Sequence, residues 1–359
     1  MSSKRVVDVF VPYEGEAAQR AAIAELCCQL VPEFNGMLLE DIQTRVLSGG
    51  NTNVLMIATS PKAPNDFAVV IRIYGPETER IISRDAERFV QSLFLRTYGQ
   101  GNNALVYEFL NGYRTMEYDG LARGEYTASV ARAIAQYHYT ATGKTLLVQP
   151  YAGEELFCTQ VHRGWVAECL NKSVMDRIKE GKRLWVESVA DEISREAAFL
   201  EETIGQVKSE LPIVMCHNDI LGGNVMLRAS DGDIRLIDFE YTRRNYVYYD
   251  IANHFNEYAG FDCMWDLYPG KEHQLMFMRE YAKTFAELSG LEVVDLNLPS
   301  DDRMYALLQL LSLSSHLCWV LWAILQEAYS TIDFDYIAYA KRRLERYRTE
   351  KVRVEALIK

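Results

Sequence analysis

The sequence has no excess of positive charge, no internal repeats and no low-complexity linker. Its 359 residues include 38 lysines and arginines against 50 aspartates and glutamates, which gives a net charge of −12. A surface of this sign repels phosphate backbones, so we expect no nucleic acid partner. The composition, 49% hydrophobic and 25% charged, is instead typical of a globular protein, and the length is sufficient for two lobes around a cleft.

The sequence also lacks a cysteine pattern and a long uninterrupted apolar run. Its seven cysteines, which include the neighbours Cys27 and Cys28, follow no metal-ligand or disulfide spacing. Reduced thiols in a cytoplasmic enzyme are the simplest interpretation. No long apolar segment follows residues 1–5, so we expect neither a signal peptide nor an anchor. The most apolar stretch, residues 307–325, is interrupted by polar side chains, which favours a buried helix over a membrane span.

The hydrophobic pattern predicts an α+β chain with two lobes. Before residue 115 it indicates a helix at 17–30, strands at 42–48, 54–59 and 67–74, a helix at 80–98 and a strand at 104–109. Beyond residue 115 the pattern is mainly helical, apart from one hairpin. We therefore expect a small β-rich N-lobe at residues 1–110 and a large C-lobe at residues 111–359.

The hairpin at residues 212–240 carries a pattern typical of phosphoryl transfer. Asp219 follows a short apolar run, Asn224 begins a strand, and Asp238 follows the returning strand, so the three side chains can converge. An aspartate there can accept a hydroxyl proton, while the asparagine and the second aspartate can hold a metal with ATP. Protein kinases have Arg where Asn218 stands and Gly where Glu240 stands, so these differences favour a small-molecule substrate. An ordinary turn is the alternative interpretation, and the surrounding residues argue against it.

Two features of the N-terminal part could bind phosphates. Gly49 and Gly50 lie in a turn between predicted strands, where backbone N–H groups can approach phosphate without a Cβ in the way, although a simple hairpin turn is the alternative. Arg72 lies mid-strand among apolar neighbours. Its buried charge needs a partner, which phosphate and Glu87 would supply, unless the arginine is on an edge strand and reaches solvent.

Several segments together resemble the choline/ethanolamine kinase family of the kinase-like superfamily. They are the catalytic loop at residues 216–224, the long signature at residues 237–257 and the helix segment at residues 315–322. Residues 49–53 and Arg72 agree as well, because the family also uses Arg instead of Lys there. Two positions differ from the family pattern. Ala252 stands where Gly is usual, and Tyr258 replaces a usual Trp near the pocket, which bears on substrate choice.

The resemblance implies a bilobal protein-kinase-like fold and the residues of its site. Residues 1–110 would bind ATP, and residues 111–359 would hold the catalytic loop and the amino-alcohol pocket. Asp219 would be the catalytic base, and Asn224 and Asp238 would bind Mg²⁺. ATP would be held by Gly49, Gly50, Asn51, Thr52, Asn53, Arg72, Glu87, Glu108 and Leu110. The amino-alcohol would be held by Asp219, Glu240, Tyr241, Glu257, Trp319, Trp322 and Tyr336. For the two tryptophans, plain core packing is the alternative.

The implied activity is ATP-dependent phosphorylation of ethanolamine, the first step of phosphatidylethanolamine synthesis by the CDP-ethanolamine route. Glu240 and Glu257 can accept N–H bonds from a primary ammonium, whereas a quaternary ammonium needs aromatic faces. The short stretch between Arg72 and Glu87, which lacks an insertion common in choline kinases, and residues 330–335 also favour ethanolamine. A choline or dual kinase is the first alternative. A sugar or antibiotic phosphotransferase and an amine-binding pseudokinase are more remote. A homodimer is left open.

Overall fold

The structure is a computed structural model and describes residues 5–47, 53–64, 66–74, 84–116, 120–121, 124–143, 155–330 and 332–358. The chain divides into two compact units, Met1–Tyr113 and Arg114–Lys359. The assignment of ATP binding to residues 1–110 and of catalysis to residues 111–359 stays a prediction.

The first unit is built on a five-stranded antiparallel sheet with the order β1-β2-β3-β5-β4. The central strand β3 is rich in β-branched residues, and six of its seven residues are buried, as expected for a strand covered on both faces. Helix α1 packs its apolar face on this sheet, where Ile23 and Leu26 meet Val69 and Ile71 in one hydrophobic core. The elements are α1 (Glu16–Leu30), β1 (Gln43–Leu47), β2 (Asn53–Thr59), β3 (Ala68–Tyr74), α2 (Arg84–Phe94), β4 (Thr97–Gln100) and β5 (Ala104–Glu108).

The strands predicted in this unit are confirmed to within one residue, but the helix predicted at residues 80–98 is wrong at its C-terminal end. Helix α2 ends at Phe94, and Tyr98 lies in the edge strand β4. The β4 strand pairs with β5 through an irregular register around Gly99, whose φ is +153°. Pairing with a neighbouring strand has therefore overridden the local helical spacing, as tertiary context often does.

The described residues of the second unit are mostly helical and contain two small sheets. Strand β7 pairs with β10, and the hairpin β8–β9 forms a three-stranded sheet with β6. The pairing of β7 with β10 was not predicted. The strands are β6 (Tyr113–Thr115), β7 (Ile213–Cys216), β8 (Val225–Arg228), β9 (Asp233–Leu236) and β10 (Arg243–Tyr246). The helices are α3 (Thr127–Ala141), α4 (Phe157–Gln160), α5 (Val166–Cys169), α6 (Lys172–Met175), α7 (Glu180–Val207), α8 (Val247–Asn256), α9 (Lys271–Ser289), α10 (Asp301–Tyr329) and α11 (Tyr336–Ile358).

Helix α10 is the centre of the second unit's core. The side chain of Ser300 caps its N-terminus by accepting a hydrogen bond from the Arg303 N–H at 3.3 Å. By length and composition α10 could cross a membrane, yet its whole apolar window is buried inside the protein. This confirms the prediction of a buried helix at residues 307–325. Helices α8 and α11 pack along α10, so residues from all three can meet in one site.

Candidate active site

The loop between β7 and β8 carries Asp219, and its shape depends on Asn218. Asn218 has a φ of +66°, a left-handed conformation that asparagine tolerates better than most residues. Its side-chain N–H groups donate to the carbonyl oxygens of Tyr241 at 2.9 Å and Arg243 at 3.2 Å, and its amide oxygen accepts from Asn245 at 2.9 Å. These bonds tie the loop to the segment around β10. Because of these bonds Asn218 has a structural role, which sequence reasoning missed. Protein kinases have arginine at this position.

A second residue that sequence reasoning missed, Asp250 of α8, holds the same loop from the other side. Its carboxylate accepts the backbone N–H groups of His217 and Asn218, each at 2.7 Å, and the Nε2 group of His138 lies 2.9 Å from Oδ2. Burial alone would raise the pKa of Asp250. The hydrogen bonds and electrostatic attraction from His138 and His217 together outweigh burial, so the pKa is lowered. Asp250 is therefore a charged anchor for the loop.

Asp219 has one oxygen in use and one without a partner. The side-chain N–H of Asn224 donates to the Asp219 carbonyl oxygen at 2.9 Å and to its Oδ2 at 3.1 Å. Oδ1 is buried and accepts no hydrogen bond from any part of the chain that the structure describes. Burial raises the pKa of this carboxyl group well above its usual range, and the negative charges of Asp238, Glu257 and Glu240 add to that rise. An unused buried oxygen is what a substrate hydroxyl would need.

The structure brings Asp219, Asn224 and Asp238 together. The Ile237 N–H donates to the Asn224 carbonyl oxygen at 3.1 Å, which places the residue after it, Asp238, beside the start of β8. Asp238 has a left-handed φ of +65°, so the chain turns sharply there.

The residues near Asp238 fit a divalent cation. Because the amide nitrogen of Asn224 is used by Asp219, the amide oxygen is the atom that can face a ligand. An amide oxygen and the carboxylate of Asp238 are the hard oxygen donors that Mg²⁺ prefers. The excess of carboxylates around Asp219 also favours a cation there.

A cluster of aromatic rings accompanies these acids. Trp319 and Trp322 lie one turn apart on α10 and meet edge to face, with ring centroids 5.5 Å apart. Tyr241 contacts the ring of Trp319 at 5.9 Å, Tyr336 contacts the ring of Trp322 at 5.6 Å, and the Trp322 N–H donates to the Tyr241 hydroxyl at 2.9 Å. All four residues are buried. Burial, Glu240 and Asp219 together raise the pKa of Tyr241, so the ring cluster lies next to the carboxylates.

Glu257 is paired with an arginine that sequence reasoning did not identify. The Nη1 group of Arg343, on α11, donates to Oε1 of Glu257 at 2.9 Å, and both side chains are buried. Burial raises the pKa of Glu257, and Arg343 opposes part of that rise. Tyr258, expected near the pocket, instead has ring contacts with His254, Phe255 and His273 within the described chain. Its bearing on substrate choice stays a prediction.

In the first unit, Arg72 and Glu87 form a buried ion pair. Arg72 Nη1 lies 3.0 Å from Glu87 Oε1, and the two side chains are 4% and 0% exposed. The alternative of a solvent-reaching edge-strand arginine is wrong, because β3 is flanked by β2 and β5. Gly49, Gly50, Asn51 and Thr52 lie outside the described residues, and Asn53 is described only as the first residue of β2.

The two residues expected to hold adenine, Glu108 and Leu110, lie at and just after the end of β5. The backbone N–H of Glu108 is already used, because it donates to the Arg96 carbonyl oxygen at 2.9 Å. The Leu110 carbonyl accepts from the Tyr113 N–H at 3.3 Å. These bonds occupy the Glu108 N–H and the Leu110 carbonyl, so a ligand would have to use the other backbone group of each residue.

Comparisons with known proteins show which family and fold this chain resembles. The family model described as choline/ethanolamine kinase matches residues 44–348. A probable ethanolamine kinase A of Dictyostelium discoideum is 32% identical and aligns with 90% of this chain and 90% of its own length. A probable ethanolamine kinase of Arabidopsis thaliana is 31% identical, with 92% of this chain and 85% of its own length covered. The solved structure of an ethanolamine kinase from Plasmodium vivax superimposes with a TM-score of 0.74 at 24% identity, covering 95% of this chain and 93% of that one. The predicted bilobal kinase-like α+β fold is thereby confirmed.

Proposed function

The chain belongs to the choline/ethanolamine kinase family, and we propose that it uses ATP to phosphorylate the hydroxyl group of ethanolamine. The observation that carries the proposal is Asp219: a buried carboxylate whose Oδ1 has no partner in the described chain, beside Asn224 and among other acids. A neutral ligand would bring no positive charge to offset the repulsion between Asp219 and these acids. An amino-alcohol brings both a hydroxyl for Oδ1 and a cation for the acids.

In this mechanism Asp219 is the general base. Its Oδ2 is held by Asn224 at 3.1 Å, which orients Oδ1 to align the hydroxyl group and accept its proton. Proton transfer to a base placed in this way contributes about 10²- to 10⁴-fold to the rate. Bound Mg²⁺ would offset negative charge on the transferred phosphoryl group, and Asn224 and Asp238 would hold it.

ATP recognition belongs to the first unit in this proposal. Arg72, fixed by Glu87 at 3.0 Å, would contact phosphate together with Gly49, Gly50, Asn51, Thr52 and Asn53. The Glu108 carbonyl and the Leu110 N–H would hold the adenine edge, because the Glu108 N–H already donates to Arg96 and the Leu110 carbonyl already accepts from Tyr113.

The amino group would lie between acids and rings. Glu240 and Glu257 supply carboxylates for a primary ammonium, while Tyr241, Trp319, Trp322 and Tyr336 supply the aromatic wall. The same rings favour choline as a second candidate, because each aromatic contact with a quaternary ammonium is worth about 0.5 to 2 kcal/mol. Only the carboxylates distinguish the two amines, since a quaternary ammonium has no N–H to donate. We place ethanolamine first for that reason.

The test is an assay of ADP release and phosphorylated product with ATP and Mg²⁺ against ethanolamine, its N-methylated derivatives, choline, a hexose and an aminoglycoside. We expect phosphoethanolamine as the main product and the highest kcat/KM for ethanolamine. A tenfold preference for choline would make choline the substrate and leave the family assignment in place. Activity on the hexose or aminoglycoside alone, or no turnover at all, would contradict the proposal.

We propose the cytoplasm as the location of this reaction, because all seven cysteines are free, as in a reducing compartment. Sedimentation of the purified protein would test the homodimer that the sequence left open.

A further inference from the structure

Among the fully buried side chains that the structure describes in the second unit, Arg343 is the largest, and it contacts Glu257 of the proposed amine site. Its relative exposure is 0%. Besides the bond to Glu257, its Nη2 group donates to the hydroxyl of Ser315 at 3.3 Å. The guanidinium also lies over the rings of Trp265 and Tyr339, each 5.7 Å from the ring centroid. A buried cation with this many fixed neighbours is held in one orientation.

The contacts of Arg343 reach the aromatic side of the pocket as well as the acidic side. The Ser315 hydroxyl donates to Oδ1 of Asn253 at 2.8 Å, and the same oxygen accepts the indole N–H of Trp319 at 2.7 Å. One arm of the guanidinium therefore holds Glu257 directly, and the other holds Trp319 through two hydrogen-bonded side chains. The link from Arg343 to Trp319 is the weaker one, because the bond from Nη2 to Ser315 is long at 3.3 Å. Asn253 can also keep its bond to Trp319 without Arg343.

Arg343 uses only one oxygen of Glu257. Its bond goes to Oε1, and within the described ranges no hydrogen bond reaches Oε2. A carboxylate held in this way is fixed in direction and keeps one acceptor oxygen. Without the arginine, nothing would oppose the effect of burial, and Glu257 would take up a proton more readily.

We propose that Arg343 is a positioning residue that sets the preference for a primary over a quaternary ammonium. It does so by holding Glu257 charged and with Oε2 directed to accept an N–H bond, which ethanolamine can donate and choline cannot. The inference rests on the proposed function, because it assigns a substrate class to that same site.

The test compares kcat/KM for ethanolamine and choline in the wild type and in Arg343→Met. Methionine keeps most of the aliphatic volume and removes both charge and donors. The ratio of ethanolamine to choline should fall about tenfold, mainly through the KM for ethanolamine, while the KM for ATP stays within about twofold. If choline is not turned over, its inhibition constant against ethanolamine replaces its kcat/KM.

Arg346→Met is the matched control. Arg346 lies one turn further along α11 and also covers the ring of Trp265, at 5.5 Å, but it pairs with Glu350 at 3.0 Å instead of Glu257. A general effect of losing an arginine from this helix would appear in both variants. We expect the wild-type ratio in Arg346→Met.

Arg343→Lys keeps the experiment decisive if the methionine variant does not fold. A lysine restores the charge next to Glu257 but lacks the planar fork that reaches Ser315 at the same time. The ratio should then fall by about threefold, less than with methionine. The inference would be overturned if the ratio of kcat/KM for ethanolamine to that for choline were unchanged in the soluble variants, or if kcat/KM fell equally for both amines. The proposed function would still stand in that case, provided that the wild type phosphorylates ethanolamine. Absence of amine phosphorylation by the wild type would overturn both.

Discussion

Asp219 is a single residue whose environment opposes its ionised form. Its carboxyl group is buried, and Asp238, Glu257 and Glu240 contribute further negative charge. A carboxyl group with a raised pKa in the folded state destabilises the fold at any pH above its unfolded pKa. The group is ionised in the unfolded chain at that pH, so folding must either bury the charge or take up a proton. Sites that need a charged base beside an anionic substrate accept this cost, which a bound cation can offset.

The first prediction concerns the variant Asp219→Asn. Asparagine keeps the shape and removes the proton acceptor, so turnover should fall by about 10²-fold or more. The same change removes an uncompensated buried charge, so the melting temperature without Mg²⁺ and nucleotide should rise at pH 7. Steady-state kinetics and thermal unfolding of the same preparation provide the two measurements.

The turnover and the melting temperature of Asp219→Asn test different parts of this prediction. Near-normal turnover would remove Asp219 from the role of base. A lower melting temperature with lost turnover would mean that the carboxylate is stabilised by contacts stronger than the repulsion described above. In that case the loss of activity would no longer report on proton transfer alone.

At the scale of elements, the catalytic loop is held by a helix rather than by its own turn. Helix α8 presents Asp250 to two consecutive backbone N–H groups of the loop at 2.7 Å, and α3 presents His138 to the same carboxylate. Three elements therefore meet at one buried charge. Asn218 completes the attachment through the carbonyl oxygens near β10.

The second prediction concerns Asp250→Asn, which should destabilise the protein by about 3 kcal/mol at pH 7, because buried N–H groups lose a charged acceptor. The folded-state pKa of Asp250 is lowered. Its contribution is therefore present above the unfolded pKa of about 4 and is lost as the pH falls through the folded pKa. Melting temperatures from pH 7 down to pH 3 should show the gap between wild type and variant narrowing in acid.

Asp302→Asn is the control for this experiment. Asp302 also has a lowered pKa, through its hydrogen bond with Lys271, but its side chain is 88% exposed. Exposed ion pairs contribute little, so this variant should follow the wild-type curve. A gap for Asp250→Asn that stays constant down to pH 3 would show that the charge of Asp250 is not what holds the loop.

At the scale of the whole molecule, the cysteines report on packing throughout both units. All seven are free, and only Cys28 is partly exposed. Burial raises the pKa of the other thiols, for example that of Cys158 to about 12. Because the thiolate is the reactive form, these groups should be inert in the native protein.

The third prediction is therefore a thiol count. A thiol reagent such as Ellman's reagent should titrate about one cysteine in the native protein and all seven after denaturation without reductant. Cys28→Ser should abolish the native reaction and change the melting temperature little, because the side chain is only partly buried and serine has nearly the same size. Rapid reaction of several native thiols would contradict the packing, and fewer than seven after denaturation would reveal a disulfide.

The sequence alone determined the features that depend on neighbours along the chain. The β-branched run of β3, the polar interruptions of α10 and the hairpin that joins Asp219, Asn224 and Asp238 are local, since the pattern of a short segment decides them. The partner of Arg72 was also predictable, because a charge in a buried strand needs a counter-charge nearby.

Only the tertiary structure decided the pairs that are far apart in sequence. Arg343 and Glu257 are separated by 86 residues, and His138 and Asp250 by 112. The edge strand β4 exists because β5 pairs with it, against a helical pattern. Local periodicity carries no information about which distant side chain will face a buried charge. That choice is made when helices α3, α8, α10 and α11 pack together, and each charge left without a partner would then cost several kcal/mol.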